Sequence, residues 1–185
     1  MKAQARAEDQ AQQAAAVHTL ASLAELSFDE LAALYGEGRV PGSIRALDGH
    51  PRGRMLAVRA VRGPASYALR QLASAQLFPW GGKSFRSKGE AYGAGVNRLR
   101  VLGRHALFPF RTSIAPSALD DRPCVVLDYG HADNPWLIRR IHDEIREVAP
   151  GLYLGPAMWK HRAGPTTLLW FALDWNDPAP ALAFG

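Results

Sequence analysis

The chain is poor in cysteine. Cys124, within Pro-Cys-Val-Val-Leu, is its one cysteine, so no disulfide framework can form within it, and a reducing cytoplasm is the expected compartment. Lysine is also scarce: Lys2, Lys83, Lys88 and Lys160 stand against arginines spread from Arg6 to Arg162, most of them from Arg39 onward. The net charge is +5 and the sequence pI about 9.7. Because the basic residues do not cluster or interleave with aromatics in one motif, they read as a solvated surface, and nucleic acid is not the expected partner. No apolar run approaches the roughly 18 residues of a membrane span. Glu8 and Asp9 interrupt the basic start and no apolar stretch follows, which argues against a signal peptide.

Recognisable cofactor and metal signatures are missing too. Gly81-Gly82-Lys83-Ser84 fails as a phosphate loop because Leu77 stands where the first glycine belongs. Gly93-Ala94-Gly95 fails as a dinucleotide fingerprint because Arg98 replaces its third glycine. The histidines, His18, His50, His105, His131, His142 and His161, lack zinc-site spacing. There is no Gly-x-Ser-x-Gly nucleophile elbow. No metal or cofactor is expected.

What is present is a series of short strand signals. Residues 53–62, 78–85, 94–102, 106–114, 124–129, 153–160 and 166–175 read as seven strands with short turns, the third and fourth forming a hairpin around Gly103. Neighbouring strands joined this way pair antiparallel, and a small curved sheet closes readily into a barrel. Helical signals flank and interrupt the set. Residues 1–26 form an Ala- and Gln-rich helical extension, Ser27 and Glu30 have capping-box spacing ahead of Leu31, and 66–77 reads as a short helix. The strongest helical signal is 135–148. Asn134 can cap it, Pro135 suits its first position, and Leu137, Ile138, Ile141, Ile145 and Val148 share one face. Arg139–Asp143 and Arg140–Glu144 would be ion pairs four residues apart on its solvated side, and Pro150-Gly151 would end it.

The expected fold is therefore α+β and mainly β: an antiparallel calycin-like barrel or strongly curved sheet spanning 27–176, with N-terminal helices, one inserted helix and a tail at 177–185. Aromatic residues concentrate in the strand-bearing part. Trp80, Phe110, Tyr129 and Trp170 are the candidates to line an interior cavity, with Lys83, Arg98 or Arg111 fixing a polar group and Asn97 and Thr112 within the same strands. An interior arginine would favour an anionic head group, which it binds bidentately. The primary expectation is binding of a hydrophobic or aromatic small molecule. An enzyme on the same barrel (a cyclase, isomerase or hydrolase) is the alternative, with Asp128, His131 and His105 moving protons and the loop from Asp128 to Asn134 presenting the first two to a cavity mouth. A third reading makes residues 1–26 an interaction module, through a protein partner or a homodimer.

Trp80-Gly81-Gly82-Lys83-Ser84-Phe85, then Leu127-Asp128-Tyr129, then Pro135, Arg139 and Asp143-Glu144, then Leu154-Gly155 resemble, in that order, the GXWXG/DUF4334 proteins over roughly residues 28–175. The family's naming motif, a Trp between glycines, has no counterpart here: the segment from Gly42 to Gly49 holds Ile44 and Leu47 but no Trp. The resemblance implies a lipocalin-like barrel with a ligand cavity and carries over no catalytic residues.

Overall fold

The computed structural model describes residues 18–58, 80–99 and 105–180. Among them, eight strands form a closed antiparallel barrel in simple chain order: β1 Arg52–Val58, β2 Trp80–Ser87, β3 Tyr92–Leu99, β4 His105–Pro116, β5 Pro123–Asp128, β6 Ile141–Ala149, β7 Leu152–Trp159 and β8 Thr166–Asp174. β8 returns to pair with β1, Arg52 opposite Asp174 and Met55 opposite Phe171, which removes the sheet edges. The expected mainly-β, calycin-like barrel is the observed fold. No helix among the described residues is long and apolar enough to cross a membrane.

Alternation along the strands divides the apolar residues between two faces. Val125, Leu127, Ile141, Ile145, Tyr153, Trp159, Leu169 and Phe171 face the interior together with Phe85 and Phe110. The opposite face of β5, β7 and β8 presents Cys124, Leu152, Leu154, Trp170 and Ala172 to two helices, α1 (Leu20–Leu23) and α2 (Phe28–Glu37). The Ser27–Glu30 capping box forms as the spacing predicts, each side chain satisfying the other's backbone N–H. α2 then packs Phe28 and Tyr35 against Trp170, ring centroids 5.9 and 5.5 Å apart.

The expected helix over 135–148 is not formed. A short 3-10 turn covers Ile138–Arg140, and the chain then runs as β6 between β5 and β7. Ile141 and Ile145 lie four apart, a separation that suits one helix face and equally one strand face. The strand prevails because β5 and β7 supply backbone partners on both sides. Of the residues assigned to a solvated helix face, Arg139 and Arg140 are exposed, but Asp143 and Glu144 are buried, as is Arg146 two residues on. Neither expected pair forms as predicted, since Asp143 meets Lys83 and Glu144 meets His142. This added strand turns seven into eight.

The other six strands expected wholly within the described residues, or nearly so, are found within a few residues of their expected bounds, and β1 is described as far as Val58. The helix expected at 66–77, the turn at Gly103 and most of the extension at 1–26 lie outside the described residues. Bulges adjust which side chains face inward. Gly82, at φ +112°, sits at the register shift between Trp80 and Gly82. The shift lets Trp80 and Lys83, three residues apart, join the same interior group.

Candidate functional site

The interior contains a charged pair. Lys83 on β2 and Asp143 on β6 meet at 2.9 Å, with side chains 3% and 5% exposed. Lys83 Nζ also donates to Asn97 Oδ1 at 2.9 Å and to Tyr129 Oη at 2.6 Å, so each of its three protons has an acceptor. Tyr129 donates to Asp143 Oδ2 at 2.9 Å and accepts from Asn97 Nδ2 at 3.2 Å. Asn97 Oδ1 takes a further bond from Trp80 Nε1. The rings of Trp80, Phe110, Tyr129 and Phe171 stand 5.0–5.5 Å from the ammonium. In a desolvated site each such contact attracts a cation.

Local structure explains how these groups converge. Tyr129 follows the last residue of β5 and continues its alternation, so it points inward with Leu127. The loop after it is held by Asn134, whose amide donates to the carbonyls of Pro109 and Tyr129 at 2.7 and 2.9 Å. Asn97 faces Lys83 directly across the β2–β3 ladder. Asp143 lies between Ile141 and Ile145 on the inward face of β6. Burial draws Lys83 below the ordinary lysine range, while Asp143 opposes the shift by charge and hydrogen bond. Three acceptors in reach match the three N–H donors of an ammonium. Burial and the Asp143 charge push Tyr129 well above the usual phenol range, so it remains a donor.

A second polar cluster lies on the outer side of the same strand. Glu144 accepts from Tyr35 Oη at 2.8 Å and Ser117 Oγ at 2.5 Å through one oxygen, and from the Ala118 N–H at 2.8 Å through the other, which also lies 2.9 Å from His142 Nε2. Burial acts to raise its pKa, and these bonds outweigh it and hold the carboxyl below the usual glutamate range. Arg146, fully buried, forks onto both oxygens of Asp120 at 2.7 and 2.6 Å and stacks its guanidinium over Tyr35 at 4.4 Å. Every group in this cluster has partners within the protein. It ties α2 and the β4–β5 connection to β6 and so fixes the strand that carries Asp143.

The other candidates separate clearly. Trp80, Lys83, Phe110 and Tyr129 belong to the interior group, and Asn97 joins them. Trp170 does not line the interior. Its neighbours Leu169 and Phe171 face in, so alternation turns Trp170 outward under α2. Phe171 is the inward aromatic of β8. Arg98 follows the inward Asn97 and donates to the carbonyls of His50, Pro51 and Gly81, bracing the bulge at Gly82. Arg111 is exposed on the outer surface beside Asp128, which also lies 3.4 Å from Lys160. The structure therefore brings neither arginine to the interior cluster. Asp128, His131 and His105 do not converge either. Asp128 is in that outer ion-pair group, His131 sits 3.3 Å from Asp133 in the following loop, and His105 is exposed at the start of β4. Cys124 is buried under the helices, and burial pushes its thiol up to about 12, which leaves it protonated and unreactive.

Asp143 is the interior residue that sequence reasoning missed. Its signal was present: it stands two residues from each of two β-branched core residues, the spacing of one strand face.

No protein-family model matches the chain, and no curated protein is detectably similar to it. Among solved structures, a protein from Thermomonospora curvata is similar in fold. It shares 18% sequence identity, with a TM-score of 0.55 over 90% of this chain and 97% of that one. At that identity the likeness concerns architecture alone.

Proposed function

We propose that the barrel binds a small, largely apolar or aromatic molecule in its interior, anchored at the Lys83–Asp143–Tyr129–Asn97 cluster. The observation that carries this reading is a charged pair enclosed by four aromatic rings where the fold needs only apolar packing. A buried ion pair is weak support for stability, and well-packed apolar residues of similar volume often serve as well or better. Its presence at the inner wall of a barrel suits recognition: aromatic walls with a few convergent polar groups are the usual makeup of a small-molecule site.

Kinship with the GXWXG/DUF4334 proteins belongs to the same proposal, supported by the barrel that the resemblance implies. So does a reducing cytoplasm, since the lone Cys124 forms no disulfide within the chain.

Native mass spectrometry of the full chain against a library of hydrophobic small molecules, followed by tryptophan-fluorescence titration, tests the reading. Bound ligand should quench or shift Trp80, which donates into the cluster, and Trp80→Phe should remove most of that signal. If no library member binds and fluorescence is unchanged throughout, the proposal fails.

A further inference from the structure

The cluster is saturated except at one buried oxygen of Asp143. Lys83 spends its three protons on Asn97, Tyr129 and Asp143; Tyr129 spends its own on Asp143, and Trp80 spends its own on Asn97. Asp143 Oδ2 thus accepts two hydrogen bonds. Asp143 Oδ1 is equally buried and accepts none from any described residue. A carboxylate oxygen enclosed without a donor carries a desolvation penalty, and a donor brought by a bound molecule removes it.

Charge leads to the same requirement. One ammonium and one carboxylate balance within the cluster, and the expected interior arginine is absent from it. An incoming carboxylate would find the Lys83, Tyr129 and Trp80 protons already committed and would add a second negative charge beside Asp143. An incoming neutral O–H or N–H would find the open oxygen. Four aromatic rings stand 5.0–5.5 Å from the Lys83 ammonium that Asp143 pairs with, so the neighbourhood favours an apolar or aromatic body.

Resting on the reading that the barrel holds a small molecule, we infer that its ligands are neutral aromatic or apolar compounds bearing a hydrogen-bond donor, of phenol, alcohol or amide type. The donor goes to Asp143 Oδ1, and the site selects against carboxylates. This reverses the anionic head group that an interior arginine would have favoured.

Three probes of similar shape separate the possibilities: naphthol, naphthalene and naphthoate, titrated into the full chain by calorimetry and tryptophan fluorescence. Naphthol should bind tighter than naphthalene by about tenfold or more, the scale of a hydrogen bond to a charged group, and naphthoate should bind most weakly. In the double variant Lys83→Met with Asp143→Leu, confirmed as folded by circular dichroism, naphthol should lose its advantage over naphthalene while both still bind. Equal binding of naphthol and naphthalene by the native chain, or tightest binding of naphthoate, overturns the inference and leaves the barrel-binding reading standing. Failure of all three probes to bind, with only water on Asp143, removes both.

Discussion

Lys83 and Asp143 should be far more costly to lose singly than together. Lys83→Met leaves the Asp143 carboxylate buried with Tyr129 as its remaining described donor and removes the cation from among four rings. Asp143→Leu leaves the ammonium facing two neutral acceptors, Asn97 Oδ1 and Tyr129 Oη. Stranding one partner of a buried pair costs about 3–5 kcal/mol. For a chain of this length that corresponds to a melting temperature lower by roughly 6–20 °C. The double variant strands no charge. Asn97 still receives Trp80 Nε1 and still donates to Tyr129, so the main polar loss is the Tyr129 O–H, at about 1–3 kcal/mol. Added apolar packing offsets part of that.

The double variant should therefore be less destabilised than either single one, with a coupling between the two sites of about 3 kcal/mol or more, at or above the upper range for residues in contact. Urea denaturation of the native chain, both single variants and the double, followed by far-ultraviolet circular dichroism, closes this cycle. Single variants that each cost less than about 1 kcal/mol, or a double variant equal to their sum, would refute the placement of this pair as a buried, mutually dependent unit.

Two further outcomes follow from the strands around it. Gly155→Ala on β7 would drive a Cβ into the Glu144 carbonyl oxygen and to 2.8 Å from Ile145 Cγ2, prising β7 from β6, so it should destabilise by about 3 kcal/mol, the upper end of overpacking; an unchanged melting temperature would contradict the close approach. Glu144 is held below the usual glutamate range in the folded chain, so the unfolded chain binds its proton more readily. Its contribution is fully present above the ordinary value of about 4.5 and is lost as pH falls through the lowered one. Urea midpoints measured from neutral to acid pH should fall less steeply for Glu144→Gln than for the native chain below about pH 5, and parallel acid slopes would show that this carboxyl contributes nothing to acid unfolding.

Most of the barrel was legible because turns and alternating apolar residues are local features. The antiparallel order followed from short connections, and Ser27–Glu30 identified the start of α2 by side-chain chemistry alone. The segment 135–148 was not legible for a physical reason. Its cues for a helix were local and real: a capping Asn134, Pro135 at the first position, and apolar residues at helical spacing. What they omitted was the barrel's need for a partner between β5 and β7. Backbone bonds to two neighbouring strands, available only once the rest of the sheet exists, outweigh a local helical preference worth a few tenths of a kcal/mol per pair.

The same misreading concealed half of the site. On a helix, Asp143 and Glu144 would be about 100° apart, Asp143 opposite Ile141 and Ile145 and Glu144 at the flank of that apolar face, both within reach of solvent. On a strand they point to opposite faces, and here both faces are covered: Asp143 inside the barrel against Lys83, Glu144 outside beneath α2 against Tyr35. Consecutive buried carboxylates require different partners on the two sides, and only the closed barrel with its helical cover provides both. Lys83, Tyr129, Phe110 and Trp80 could be named from aromatic content and strand position alone. Their significance could not, because a buried lysine acquires its role from the carboxylate across the barrel, 60 residues away along the chain. That carboxylate also sets the polarity of the site. With Asp143 inward, the cluster pairs its one positive charge and leaves the Asp143 Oδ1 acceptor without a donor among the described residues, so the group best suited to it is a donor.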